Sequence, residues 1–92
     1  MGNSGQRRLV KGPRYRSDIE RIRQSSERAA EAVAAFELVV VRIPELGMAV
    51  PGKQGYYSRP FHTDKGSYLV IYAFDDDQVI CSAVRPVPSG RF

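Results

Sequence analysis

One histidine, one cysteine and a run of three aspartates are the side chains in this 92-residue chain with the most evident capacity for chemistry. His62 is the only histidine, and general acid–base work is its sharpest reading; a half-exposed loop or strand residue is the more ordinary one and is preferred. Cys81 has no second cysteine in the sequence to pair with, which leaves no intramolecular disulfide and no cysteine-based metal cluster. Asp75-Asp76-Asp77 carries three carboxylates, but consecutive side chains alternate in direction and do not converge on one cation without further ligands. The run reads as a hydrated turn. The sequence contains no glycine-rich phosphate loop, paired-histidine zinc motif or nucleophile elbow, and neither metal nor cofactor is expected.

The densest mixture of aromatic and basic groups is Tyr56, Tyr57, Arg59, His62 and Lys65. Such a set suits base stacking and phosphate contact, and it suits sheet packing with an exposed rim equally well. The second alternative is preferred. Arg85, at a strand end, and Arg91, in the tail, would extend a basic rim if the tail folds back.

Charge is unevenly distributed around a net +4. Through residue 28 there are eight basic and three acidic side chains, from 29 to 52 one and three, and from 53 onward five and four. A basic N-terminal third suits nucleic acid or an acidic protein segment, although a basic helix surface is more often merely solvated. The N-terminal Met1–Gln6 lacks the apolar core of a signal peptide and no run is long enough to span a membrane, so a soluble cytoplasmic protein without a membrane partner is expected. Residues 1–6 are expected to be disordered, 7–86 to form one domain, and 87–92 a proline-containing tail.

These side chains must be carried by a small set of elements. Arg7–Lys11 reads as a short strand stopped by Gly12-Pro13. Ser17-Asp18-Ile19-Glu20 matches a capping box and predicts a helix from Asp18, broken at Gln24-Ser25-Ser26, with Ser26 capping a second helix. In that second helix Ala29, Ala32, Val33, Phe36, Val40 and Ile43 share one face, and Ala30, Ala34, Leu38 and Val41 form a neighbouring stripe. The preferred reading sets one stripe on the sheet and the other on the first helix; the alternative leaves part of the second for a partner chain. Pro44-Glu45-Leu46-Gly47 ends the helix, and Pro51-Gly52 makes a turn.

Gln54–His62 predicts a strand that Pro60 confines to an edge or bulge. Ser67–Phe74 and Gln78–Arg85 predict a hairpin turned by the aspartates. The first of these is apolar on both faces and should be central; in the second, Val79, Cys81 and Ala83 should oppose Ile80, Ser82 and Val84. The expected fold class is α+β: an N-terminal strand and a helical hairpin packed on an antiparallel sheet.

Those words, in that order, resemble the ParE branch of the RelE/ParE toxin superfamily, which includes plasmid-stabilisation toxins. The resemblance rests on Asp18-Ile19, Ile43-Pro44-Glu45-Leu46-Gly47, Arg59, and Tyr68-Leu69-Val70-Ile71-Tyr72 leading through the aspartates to Val84-Arg85, and it covers about Arg7 to Arg85. It implies a toxin of a type II toxin–antitoxin system, neutralised by a cognate antitoxin that wraps it. ParE-like members act on DNA gyrase, so the expected activity is binding a protein target; RelE-like members cut messenger RNA on the ribosome with basic residues. The nuclease branch carries an arginine where this chain has Leu69, lysines where it has Ser58, Arg59 and Pro60, and a tyrosine near the end where it has Phe92. A leucine cannot stabilise charge developing on a phosphate, which favours the ParE-like reading. Were the chain a nuclease, Arg59, His62, Lys65 and Arg85 would be its basic set; as a partner-binding toxin it would use Leu38, Val41, Arg59, Arg85 and Arg91. A third alternative is an inactive binding module with the same fold. The helical pair Asp18–Pro44 is about one turn shorter in each helix than that branch leads one to expect.

Overall fold

Ser26 begins the best-defined helix as its sequence predicts. Its hydroxyl oxygen accepts from the Ala29 N–H at 3.0 Å, with Glu27 in the first turn at the positive end of the dipole. The same hydroxyl donates to Asp64 Oδ1 at 2.8 Å, tying the helix start to a strand turn across the fold. Ser26→Ala should therefore cost about 1–2 kcal/mol in urea-melt stability, the upper part of the range for a lost N-cap. A loss below about 0.3 kcal/mol would show that neither bond matters.

A computed structural model describes residues 7–87. The order is β1 (Arg8–Lys11), α1 (Pro13–Arg23), α2 (Glu27–Arg42), a 3-10 turn (Pro44–Leu46), β2 (Met48–Ala49), β3 (Tyr57–Thr63), β4 (Gly66–Phe74) and β5 (Gln78–Val87). Both helices pack on one side of a five-stranded sheet ordered β1-β5-β4-β3-β2. The fold is α+β, and the sheet is mixed where an antiparallel one was expected. After the helical pair, three antiparallel pairings bring β5 back beside β1, and β1 and β5 then run parallel. The expected disorder of residues 1–6, and Arg91 with the rest of the tail beyond Val87, lie outside the described residues.

Between the helices and the sheet lies one apolar core. Tyr15, Ile19 and Ile22 of α1, and Ala29, Val33, Phe36 and Val40 of α2, meet Phe61, Val70, Tyr72, Val79, Cys81 and Val84 of the sheet. Phe36 and Phe61 lie 5.1 Å apart, and Phe61 stacks on Tyr68 at 5.4 Å, so aromatic contact runs from α2 across β3 into β4. β4 is central, as its two apolar faces predict. Pro60 stands on β3 beyond the two residues that β2 covers, the edge position expected of it.

Five further expectations are corrected. The first helix starts at Pro13, five residues before Asp18, and Ser17 lies exposed inside it; Glu20 holds Arg23 and Gln24 at 3.0 Å each instead of closing a capping box. Proline suits the first helical position because its fixed φ is already helical, and Tyr15, Ile19 and Ile22, at i, i+4 and i+7, anchor the added turn in the core. The second apolar stripe of α2 is not buried on α1: Ala30 and Val41 are half-buried, Ala34 is exposed, and Leu38 is 62% exposed. Ile43, assigned to the core face, is exposed because the chain leaves the helix there, at φ −135°.

The last two corrections lie in β5. The strand does not end at Arg85-Pro86 but continues to Val87, with Pro86 opposite Tyr68, past the part of β5 that β1 covers. A bulge interrupts its alternation, since Ile71 pairs with Ala83 but Tyr72 with Cys81, which leaves Ser82 as the extra residue. Val84 thereby joins Val79 and Cys81 in the core, and Ala83 turns to the side away from the helices.

Candidate functional site

Among the described residues, no second layer covers the side of the sheet away from the helices. Its centre is a groove of about 600 Å³ floored by Leu69 and Ile71 of β4, Ala83 of β5 and Ser58 of β3. The bulge is what brings Ser82 and Ala83 to this floor and sets Arg85 at its rim. Arg14, from the first turn of α1, reaches the same groove beyond the end of β1.

The opposite wall is the connection between β2 and β3, contributing Val50, Pro51, Lys53 and Tyr56. This connection is closed on itself: Val50 N–H donates to the Tyr56 carbonyl at 2.9 Å, Lys53 N–H to that of Val50 at 3.1 Å, and Tyr56 N–H to that of Lys53 at 3.1 Å. Gly52 at φ 78° and Gly55 at φ 88° supply the left-handed backbone that such tight turning needs. Lys53 Nζ lies 5.2 Å from the Tyr56 ring centre, a cation–π contact that orients both.

Three cations, Arg14, Lys53 and Arg85, line the groove, and none has a carboxylate partner among the described residues. Among the described residues, no acidic side chain, histidine or thiol joins them on the lining. The groove can attract an anionic surface, hold apolar or planar groups on its floor and against Tyr56, and donate hydrogen bonds from Ser58 and Ser82.

The sequence-derived basic set is not brought together. Arg85 belongs to the groove, but Arg59 lies on the helix side, where its Nη1 donates to the Ile43 carbonyl at 3.4 Å at the end of α2. There it serves the negative end of the helix dipole and sits beside the buried Tyr72. His62 is exposed, with Nδ1 2.8 Å from Ser67 Oγ across the strand pair, and Lys65 stands in the tight turn between β3 and β4. Cys81 is sealed in the core, where burial and the nearby Glu37 push its thiol up to about 12. Asp75 spends its carboxylate on the turn itself, accepting from the N–H groups of Asp77 and Gln78 at 2.7 and 3.0 Å.

A second surface is apolar. Leu38 of α2, Ile43 at its C-terminal cap, Leu46 of the 3-10 turn and Met48 of β2 are 62%, 44%, 63% and 73% exposed, and they follow one another along the chain from the end of α2 to the sheet edge. Arg14, Lys53 and Ser82 were not singled out from sequence; the unpaired lysine after Pro51-Gly52 was the one available signal. No family model, curated protein or solved structure matches this chain.

Proposed function

We infer that this protein is the toxin of a type II toxin–antitoxin pair, ParE-like in acting by binding a protein target such as DNA gyrase, and neutralised by a cognate antitoxin. The observation that carries the binding reading is the groove, where three cations with no carboxylate partner among the described residues stand over an apolar floor. Such a surface suits recognition of an acidic macromolecule. The element order of strand, two helices and then strands supports the family comparison. The exposed apolar side chains Leu38, Ile43, Leu46 and Met48, with Val41 half-buried, offer the antitoxin apolar surface to cover. Among the described residues, no helix is long and apolar enough to cross a membrane.

One observation favours a second reading. Arg14, Lys53 and Arg85 with Tyr56 could seat a messenger RNA phosphate and a stacked base, so a ribosome-dependent endoribonuclease would use this set in place of Arg59, His62 and Lys65.

Induced expression in a bacterial host should arrest growth, and the product of the adjacent small gene should relieve the arrest. Lys53→Glu with Arg85→Glu should abolish arrest while the domain stays folded, and inhibited DNA supercoiling without cleavage of translated messages would identify the first reading. Message cleavage that the same pair of substitutions removes would replace it with the second. Unaffected growth at full expression would sink both.

A further inference from the structure

Diametrically opposite its buried residues, α2 presents Glu31, Ala34, Ala35, Leu38 and Arg42, at i, i+3, i+4, i+7 and i+11, all of them exposed. The stripe has a definite order: acid toward the helix start, small and apolar in the middle, base at the end. Neither Glu31 nor Arg42 has an ion-pair partner among the described residues.

We propose that this face is a self-complementary interface through which two copies of the chain pair, α2 against α2, antiparallel about a two-fold axis. Antiparallel pairing centred between Ala35 and Leu38 sets Leu38 against Ala35 of the second copy and Arg42 against Glu31, and the two-fold axis repeats both contacts. The order of charge selects this occupant, because acid meets base at both ends only when the opposing helix carries the same sequence reversed. A parallel pairing would bring like charges together at each end. Alanines at the crossing let the helix axes approach to about 8 Å, so that Leu38 enters the space between Ala34 and Ala35 of the second copy. The two helix dipoles also oppose one another in this arrangement. The inference stands independently of the toxin reading, since it uses only the composition and exposure of α2.

A single pair of 16-residue helices buries less than a standard interface, so the dimer should be weak, with a dissociation constant on the order of 100 µM. Sedimentation equilibrium of the full chain over a range of concentrations tests it. Leu38→Asp should leave only monomer throughout, with an unchanged circular dichroism spectrum because Leu38 lies outside the core. Arg42→Glu should weaken pairing about tenfold by placing like charges at both ends. Glu31→Arg combined with Arg42→Glu should return it to within about threefold of the original, because the complementarity is reversed but retained. A purely monomeric parent at roughly 1 mM would overturn the proposal. So would a dimer indifferent to Leu38→Asp, or a double variant as weak as Arg42→Glu alone.

Discussion

Gly47→Ala is expected to lower the stability of the domain by about 3 kcal/mol, far more than glycine-to-alanine changes usually cost. The backbone is not the reason. Gly47 sits at φ −70° and ψ 163°, extended values that alanine adopts freely, and at an open position the change would stabilise slightly by restricting the unfolded chain. The obstacle is the Tyr72 side chain: a methyl group at Gly47 would fall on its hydroxyl oxygen and press on the adjoining ring carbon. That hydroxyl donates to the Pro44 carbonyl at 2.7 Å, and both residues are buried, so displacing Tyr72 breaks a shielded hydrogen bond as well as its packing. The bond pins the 3-10 turn onto the central strand, and the turn leads directly into β2. Tyr72→Phe should cost about 1–2 kcal/mol, and the double variant should fall short of the sum of the two by at least about 1 kcal/mol, because removing the hydroxyl makes room for the methyl group. Urea midpoints of the four proteins measure this. Strict additivity would mean that the two residues do not share the space.

Local signals in the sequence were sufficient where an element is specified by its own neighbourhood. Ser26 caps α2 because its hydroxyl and the first-turn Glu27 are adjacent in the chain, and Asp75 turns the β4–β5 hairpin with its own carboxylate. Signals failed where one residue has two meanings. Proline after glycine marks a break and equally the first position of a helix, and the choice was decided by Tyr15, whose place in the core depends on strands far along the chain. The parallel pairing of β1 with β5 joins positions 70 residues apart, such as Arg8 and Gln78, and nothing in Arg8–Lys11 announces it.

The bulge at Ser82 had no local signal either, since neither glycine nor proline marks it. It decides the groove, because an uninterrupted strand would have kept Ala83 on the side of Cys81. Arg14, Lys53 and Arg85 are scattered along the sequence and converge only through that bulge, the closed turn after β2 and the first turn of α1. The clustered Arg59, His62 and Lys65 drew attention by proximity in sequence, while strand alternation separates Arg59 from His62 onto opposite sides of the sheet.

The domain should also become sharply less stable between about pH 9 and 12. Cys81 has no exposed surface, and burial with the carboxylate of Glu37 nearby raises its thiol to about 12, with Lys11 opposing the shift. Tyr15 is raised in the same direction by burial, and its hydroxyl donates to Glu37 Oε2 at 2.7 Å, a bond that ionisation would destroy. For both groups the folded protein holds its proton more tightly than the unfolded chain. Their contribution is therefore complete below the ordinary thiol range and drains away as pH rises, since only the unfolded chain can release the proton there. Each such group removes about 1.4 kcal/mol per pH unit once its unfolded form ionises. Cys81→Ala should lose about 1 kcal/mol at pH 7 from the small void it leaves, yet show a shallower decline above pH 9, so that the two stability curves converge and cross. Urea melts at intervals from pH 7 to pH 11 give both curves. Parallel curves would mean that the thiol ionises as readily in the fold as in the unfolded chain, against its complete enclosure by α1, β1 and the central strands.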